Sequence, residues 1–398
     1  MAYLEKENMG QAAADEWTAE RILSRARELA PVLRQRAAEI EQNRHLPADV
    51  VELLRGTGVF RMAMPKSWGG PELDSMQQTE VIEALAIGDA SAGWCGMIGA
   101  DSGIYSGYLR EETAREMFPR LDMITAGWIH PEGRAERVAG GYRVTGNWRF
   151  GSGSTHCDWL AAGCAVYQDG EPVLAENGKP EWRIMYARPD EYQIRDTWHT
   201  TGLAGSGSRD YAAVDLFVPE ERSFSFREPR REGPLHIAPD AILRKMSGVP
   251  LGVARAAIDH VRELAASRFD RVTQLPWPQS YRIQTALAQS EMELHAARSG
   301  VFASLERQWE KLSAGQPLST GERVSAALAR HHAFGTARAI VARLFDTVGG
   351  AAIYRASSPL DRWLRDTNTM CQHAVAQDMI LQTCGELMLG GQPDNPFL

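Results

Sequence analysis

The sequence predicts an α+β protein in which helices and strands occupy separate segments of the chain. Apolar residues recur at three- and four-residue spacing towards both ends of the chain, the spacing that gives an α-helix one apolar face. Between about residues 124 and 219 the spacing falls to two, which is the alternation of a half-buried strand. Segregated helices and strands are typical of α+β folds, whereas parallel α/β folds alternate them.

The N-terminal segment, residues 1–121, is predicted to be a helical domain. Its first helix carries apolar residues on one face, at Ile22, Leu29, Leu33 and Ile40. Pro47 stands where it can begin a second helix. Gly58 can end that helix, because glycine adopts the left-handed backbone angles of a helix C-terminus at little cost.

The remaining chain divides into a predicted β-domain, residues 122–235, and a predicted C-terminal helical domain, residues 236–398. In the first, Tyr142 and Val144 alternate with polar residues after a turn at Gly140-Gly141. In the second, helical spacing continues almost to the end of the chain and is interrupted at the proline-rich residues 275–278.

The composition indicates a globular protein without a nucleic-acid or membrane partner. A chain of 398 residues exceeds one ordinary core, so several domains are expected. The net charge of −8 and the lack of a basic run argue against nucleic acid. No apolar run approaches the ~20 residues of a membrane span, which predicts a cytoplasmic protein. The five cysteines form no CxxC pair and no metal-ligand spacing, so free thiols and no metal site are expected.

The most informative segment runs from Arg365 to Ala374. It begins with Arg365-Asp366, follows the glycine pair Gly349-Gly350 and ends in Gln372-His373-Ala374. This segment resembles the penultimate helix region of the acyl-CoA dehydrogenase superfamily. In dehydrogenases of that family a glutamate about two helical turns after the Arg-Asp pair removes the α-proton of a thioester. Here Gln372-His373-Ala374 takes that place without a carboxylate, and it resembles the two-component flavin-dependent (group D) monooxygenases of the same fold.

The resemblance covers nearly the whole chain. It implies an N-terminal helical domain, a central β-barrel or sandwich domain and a C-terminal four-helix bundle. It also implies reduced FAD or FMN from a separate NAD(P)H-flavin reductase, with O2 as co-substrate. A flavin C4a-hydroperoxide would then hydroxylate an electron-rich aromatic or nitrogen-heteroaromatic, indole-like substrate, while His373 hydrogen-bonds the adduct or assists proton transfer. A homodimer or homotetramer is the assembly that the family implies.

The segment Gly146 to Ser154 is the second site candidate. A strand that ends in small residues lets the backbone approach a flat ring, and the Ser152 hydroxyl can donate to or accept from flavin N5 or O4. The resemblance assigns the reactive edge of the flavin to Phe150 and Ser152. A Gly/Ser-rich hairpin turn without a function is the alternative. Trp128, in a strand that lies along the flavin in the family, or Trp148 is expected against the ring.

Other cofactor contacts follow from the resemblance. Trp198 lies in a Gly/Ser/Thr-rich segment that the family places near the flavin, although a core tryptophan is the alternative. Arg268-Phe269 would reach the flavin of a neighbouring subunit, since an arginine can bind phosphate bidentately. Gly349-Gly350 would approach the same flavin from the partner chain, so the active unit is expected to be at least a dimer.

Asp101 stands where phenol-hydroxylating members of the family carry a substrate-binding histidine. A second position of those enzymes falls near Ala126 or Gly127, where no hydroxyl exists. An aspartate suits a substrate N–H better than an oxyanion, so an indole or amine is expected rather than a simple phenol. The alternative is that Asp101 caps the helix that follows it.

Two other functions are weighed against oxygenation. An acyl-CoA dehydrogenase-type activity is supported by the resemblance of the fold and opposed by the absent glutamate. A non-catalytic scaffold member of the superfamily is the other alternative, and binding of free reduced flavin would discriminate it.

Overall fold

A computed structural model describes residues 17–270, 272–393, 395 and 397–398. The first helices are α1 (Ala19–Asn43), α2 (Ala48–Thr57), α3 (Ser75–Gly88), α4 (Ala90–Gly99), α5 (Ser102–Tyr105) and α6 (Glu111–Met117). The strands are β1 (Thr125–Val138), β2 (Gly141–Gly151), β3 (Trp159–Gln168), β4 (Glu171–Pro172), β5 (Trp182–Ala187), β6 (Gln193–Arg195), β7 (Arg209–Pro219) and β8 (Ser223–Phe224). The last helices are α7 (Ala241–Arg244), α8 (Gly248–Ala265), α9 (Tyr281–Ser313), α10 (Thr320–Val348), α11 (Leu360–Met370) and α12 (Asp378–Met388). The predicted order of helices, strands and helices is confirmed.

Local sequence signals place several element ends. Pro47 precedes α2, and Gly58 ends it with a φ of 91°, as the sequence predicts. The turn between β1 and β2 contains Gly140 with a φ of 79°, whereas Gly141 already belongs to β2. The hairpin turn therefore lies one residue earlier than the Gly140-Gly141 pair suggests.

The strands form one mixed sheet in the order β6-β7-β2-β1-β3-β5-β8, with β4 paired to β3. Strands β1 and β3 are parallel, and the other pairs are antiparallel. The register of β1 against β3 shifts between Trp128 and Gly133, and the register of β2 against β7 shifts between Trp148 and Gly151. Such irregularities re-aim the side chains near them.

The helices from the two ends of the chain share one apolar core. Helix α3 lies against both α1 and α8. Close approach to α8 requires glycine there, because a Cβ on Gly248 would lie 2.6 Å from the carbonyl oxygen of Thr79. Helix α4 packs on α3 and also reaches the start of β1 and the turn at residues 204–206. The sheet is thereby joined to the helical core at the place where the candidate site lies.

Two predictions about the whole chain can be compared with the structure. All five cysteines are free thiols, as expected. Among the described residues, no helix has the length and apolarity that crossing a membrane requires.

Candidate active site

A chain of buried hydroxyl groups starts at Ser152, which directly follows the last residue of β2. The Ser152 hydroxyl lies 2.7 Å from that of Ser208, and the Ser208 hydroxyl lies 2.7 Å from that of Ser206. Ser206 donates to the carbonyl oxygen of Leu203 at 2.7 Å. From the other side, the indole N–H of Trp94 donates to Ser152 at 3.1 Å.

The direction of every bond in this chain follows from its end. A carbonyl only accepts, so the single proton of Ser206 points to Leu203. Ser208 must then donate to Ser206, and Ser152 must donate to Ser208. With its proton used and one lone pair occupied by Trp94, Ser152 can offer a ligand only an acceptor lone pair.

His373 completes this end of the site through Trp94. The two rings meet edge to face, with their centroids 5.6 Å apart. His373 stands before a short helical turn, and its Nδ1 accepts from the backbone N–H of Val375 at 3.4 Å. Burial, and then the positive charge of Arg330, lower the pKa of His373 to about 4. The imidazole is therefore neutral at neutral pH.

Arg365 and Asp366 hold the backbone of residues 201–203 in the same region. Asp366 accepts the backbone N–H of Leu203 at 2.7 Å, and burial raises the pKa of this carboxyl to about 7. Arg365 pairs with Glu41 and donates to the carbonyl oxygen of Thr201 at 2.6 Å. Asp366 thus holds the αL residue at the end of the hydroxyl chain, where Leu203 has a φ of 48°.

An aromatic patch lies beside the hydroxyl chain. Phe150 contacts Trp128 at 5.6 Å and Trp198 at 6.2 Å between ring centroids. Trp198 donates its indole N–H to the carbonyl oxygen of Leu203 at 3.0 Å, so one carbonyl anchors both the patch and the chain of hydroxyls. Phe150 has a φ of 58°, and 47% of its surface is exposed. A non-glycine residue held in this strained conformation is typical of functional sites.

Trp148 is a core residue, and the prediction that it contacts the flavin is wrong. Its side chain is 0% exposed and donates to the carbonyl oxygen of Gly163 at 2.8 Å. The indole stacks on Tyr211 with centroids 5.4 Å apart. A ring enclosed on all sides within the sheet's own core has no surface left for a ligand.

Asp101 is buried and forms an ion pair with the equally buried Lys245. Burial raises the pKa of the Asp101 carboxyl to about 6, against the opposing effect of the Lys245 charge. Asp101 stands at the N-cap position of α5, but its backbone is helical and its side chain makes no capping bond. Lys245 bonds only Oδ1, so among the described residues no donor is bound to Oδ2.

Asp101 follows α4, the helix that carries Trp94, and its neighbour Ser102 contacts the start of β1. The neighbouring Ser102 donates to the carbonyl oxygen of Met123 at 2.8 Å, and its hydroxyl lies 3.0 Å from that of Thr125 at the start of β1. A Cβ added to Gly153 would lie 3.8 Å from the Cβ of the next residue, Ala126. Of the three predicted catalytic residues, Ser152 and His373 both contact Trp94 of α4, and Asp101 follows the same helix two residues after its end.

The remaining predicted cofactor residues follow the ends of two C-terminal helices, α8 and α10. Phe269 is 63% exposed, and Arg268 precedes it in the loop after α8. Arg282 connects this loop to the end of α10, since it bonds Asp270 at 3.4 Å and the carbonyl oxygen of Thr347 at 2.5 Å. Gly349 and Gly350 follow directly, with open space around both. Arg268-Phe269 and Gly349-Gly350 are therefore linked at one edge of the helical domain.

Comparison with known proteins places this chain in a family. Residues 5–121 match the model of the acyl-CoA dehydrogenase N-terminal domain, and residues 245–378 match that of the acyl-CoA dehydrogenase C-terminal domain. The indole-3-acetate monooxygenase of Pseudomonas putida is 32% identical over 365 residues, covering 90% of this chain and 91% of that protein. The chain belongs to the acyl-CoA dehydrogenase superfamily.

Within the superfamily, the similar proteins are flavin-dependent oxygenases. The oxygenase component of an FADH2-dependent resorcinol hydroxylase from Rhizobium sp. (strain MTP-10005) is 26% identical, covering 95% of this chain and 96% of that protein. The crystal structure of the 3-HSA hydroxylase from Rhodococcus sp. RHA1 superposes with a TM-score of 0.86 at 26% identity, covering 95% and 99% of the two chains. The resemblance predicted from the Gln372-His373-Ala374 ending is confirmed.

The residues present fit the flavin that this superfamily binds. The indole Nε1 of Trp128 is a buried donor without a partner among the described residues. Ser152 offers an acceptor, and the exposed Phe150 ring offers a flat apolar surface. Sequence reasoning missed Trp94 and Lys245, which lie in apolar helical segments without a local signal. Ser206 and Ser208 were within the Gly/Ser/Thr-rich segment already assigned to the flavin.

Proposed function

We propose that this protein is the oxygenase component of a two-component flavin-dependent monooxygenase. A separate NAD(P)H-flavin reductase supplies reduced FAD or FMN, and O2 is the co-substrate. One oxygen atom enters the aromatic substrate as a hydroxyl group, the other leaves as water, and the reduced flavin provides both electrons. When bound, the flavin supplies oxygen activation, and the protein supplies position, hydrogen bonds and exclusion of water.

The observation that carries the proposal is the contact of His373 with Trp94, which in turn donates to Ser152. It joins the two residues that distinguish the monooxygenase resemblance, although they lie far apart in the sequence. A dehydrogenase would need a carboxylate base at this place, and Gln372-His373-Ala374 offers none. Oxygenation is therefore favoured over thioester dehydrogenation.

Ser152 would hold the reduced form of the flavin. N5 of a reduced flavin carries a proton, whereas N5 of an oxidised flavin is an acceptor. Because Ser152 can only accept, it matches the N5–H group and offers no bond to the oxidised ring. This preference suits an oxygenase that takes up reduced flavin from a reductase and releases oxidised flavin. The neutral His373 would hydrogen-bond or move a proton on the substrate side of the ring.

Asp101 would orient the substrate. Its Oδ2 lies free of described donors and can accept an N–H, while Lys245 keeps the other oxygen occupied. An indole-like ring carries such an N–H and is electron-rich enough for oxygenation. The relative from Pseudomonas putida is named for an indole derivative, indole-3-acetate, which makes that compound and indole the first substrates to test.

We also propose that the active unit is a homodimer or homotetramer. Apolar side chains near Arg268-Phe269 and Gly349-Gly350 are strongly exposed in the single chain; they are Val272, Tyr281, Ile353 and Tyr354. A contiguous exposed apolar surface typically marks a protein interface. An arginine at such an interface could bind a flavin phosphate of the neighbouring subunit. A cytoplasmic location remains a prediction from the sequence.

The proposal is tested by supplying the protein with FAD, NADH and a flavin reductase and following indole and phenol side by side. We expect hydroxylated indole and little hydroxylated phenol, with no product when the oxygenase is left out. Anaerobic addition of acyl-CoA thioesters to the flavin-loaded protein should leave the flavin oxidised. Reduction of the flavin by a thioester, without any oxygenated product in the first assay, would show that the protein is a dehydrogenase.

A further inference from the structure

Arg330 is a buried arginine that no side chain or carbonyl in the described part of the protein pairs with. Only 4% of its surface is exposed, yet among the described residues its guanidinium makes no hydrogen bond and no ion pair. Its Nε is a buried donor that no acceptor satisfies. A buried charge of this kind destabilises a protein unless a counter-charge is present. An unpaired guanidinium inside a packed helix therefore indicates that an anionic ligand binds there.

The neighbouring charged groups do not supply that anion. The charge of Asp240 acts on Arg330, but this carboxylate already accepts two bonds from Arg244, at 2.7 and 3.0 Å. Gln308 donates to the same carboxylate at 3.4 Å. The other buried carboxylate of this region, Asp101, is paired with Lys245. Asp240 and Asp101 are therefore both engaged by other cations, and among the described residues neither pairs with Arg330.

The unmatched charge acts on His373, one of the predicted catalytic residues. Its field reaches the imidazole of His373, where it opposes protonation. One helical turn after Arg330, the carbonyl oxygen of Phe334 accepts the thiol of Cys371 at 3.4 Å, which holds the His373 segment against α10. Lys245 directly follows Arg244, so the ion pair of Lys245 with Asp101 is next in the chain to the ion pair of Arg244 with Asp240.

We propose that Arg330 binds a carboxylate group of the aromatic substrate. The inference rests on the proposed function and deepens it, because it makes the substrate an aromatic acid rather than a neutral ring. A guanidinium presents parallel N–H groups that match the two oxygens of a carboxylate. The ring N–H of the substrate would donate to Asp101, and the carboxylate of the substrate would accept from Arg330. The two ends of one molecule would then bind to side chains of opposite charge. Binding of the substrate carboxylate would neutralise the positive charge of Arg330, which is unpaired in the ligand-free protein.

The first test compares indole-3-acetate with its neutral isostere indole-3-acetamide, by thermal shift and calorimetry on the wild-type protein. We expect the acid to bind about 10- to 100-fold more tightly than the amide, the range that one hydrogen bond to a charged group contributes. Equal affinity for the two compounds would overturn the proposal. Because this measurement needs no turnover, it decides on Arg330 even if no oxygenation is found. Turnover of indole by the wild-type protein separately decides the proposed function.

The second test uses Arg330→Met and Arg330→Lys. Arg330→Met should remove the preference for the acid, leave indole affinity unchanged and raise the melting temperature of the ligand-free protein, because an unpaired buried charge is gone. Arg330→Lys should retain part of the preference. A purely structural arginine would give the opposite stability change and equal losses for both ligands. A selective loss of FMN affinity, with riboflavin affinity unchanged, would assign Arg330 to the flavin phosphate and also overturn the proposal.

Discussion

One substitution, Ser208→Ala, should free the proton that Ser152 donates into the serine chain. In the wild-type protein the Ser152 proton is held by Ser208, so Ser152 presents only an acceptor to the flavin. Without the Ser208 hydroxyl that proton is released and can be donated to N5 of an oxidised flavin. Ser152 still keeps lone pairs for the N5–H of a reduced flavin, and Trp94 still holds it in place.

The size of the effect follows from the one hydrogen bond that changes. A hydrogen bond contributes about 0.5–1.5 kcal/mol net, so oxidised flavin should bind roughly two- to tenfold more tightly in the variant. The affinity for reduced flavin should change little. For a two-electron couple, a tenfold change in the ratio of these affinities lowers the reduction potential of the bound flavin by about 30 mV.

The assay is an anaerobic titration of wild-type protein, Ser208→Ala and Ser304→Ala with oxidised and with chemically reduced FAD. Ser304 is a matched control, since it is a buried serine that donates to the carbonyl oxygen of Val301 at 2.7 Å and lies on α9. The control should lose stability without changing the affinity ratio. An unchanged ratio in Ser208→Ala, or a further preference for reduced flavin, would refute the assigned bond directions.

Three further variants test other parts of the site. His373→Ala should keep flavin affinity but form product roughly 10²–10⁴-fold more slowly, while the electrons from NADH reduce O2 to hydrogen peroxide. An unchanged product yield per NADH would exclude a role for this imidazole. Arg268→Ala should weaken flavin binding by ~1.5–3 kcal/mol; tight flavin binding by a monomer in light scattering would contradict the shared site. Lys245→Met leaves the buried carboxylate of Asp101 without its ion-pair partner, so its pKa of about 6 should rise further. A raised acid pKa favours folding at low pH, so urea unfolding should show a loss of roughly 3–5 kcal/mol at pH 8 and a smaller loss at pH 5; equal losses would contradict the pairing.

The order of helices and strands could be predicted from residue spacing because each element buries a single face. Spacing could not decide which aromatic residue of β2 reaches the site. Trp148 and Phe150 are two positions apart and should share a face of a regular strand. The left-handed backbone of Phe150 breaks that alternation, so that Trp148 turns into the core while Phe150 turns outwards. Such a local irregularity has no counterpart in the period of the sequence.

The candidate site depends on contacts between residues that are distant in the chain. Trp94 looks like one more apolar residue of a buried helix, and only the fold brings its N–H to Ser152. The pairing of Asp101 with Lys245 joins residues on two separate helical segments in the same way. The family resemblance of the segment around His373 indicated where in the chain the active site lies. The hydrogen-bond directions, and the unmatched charge of Arg330, follow only from three-dimensional contacts.

The central claim, that this protein inserts oxygen from O2 into an aromatic ring, is tested most directly with isotope-labelled oxygen. Protein, reductase, NADH and FAD are mixed with indole or indole-3-acetate under ¹⁸O2, and the products are analysed by mass spectrometry. We expect a single ¹⁸O atom in each hydroxylated product and unlabelled product when only the water carries ¹⁸O. Hydrogen peroxide as the sole oxygen-derived product with both substrates, or oxygen that comes from water, would contradict the assignment as a monooxygenase.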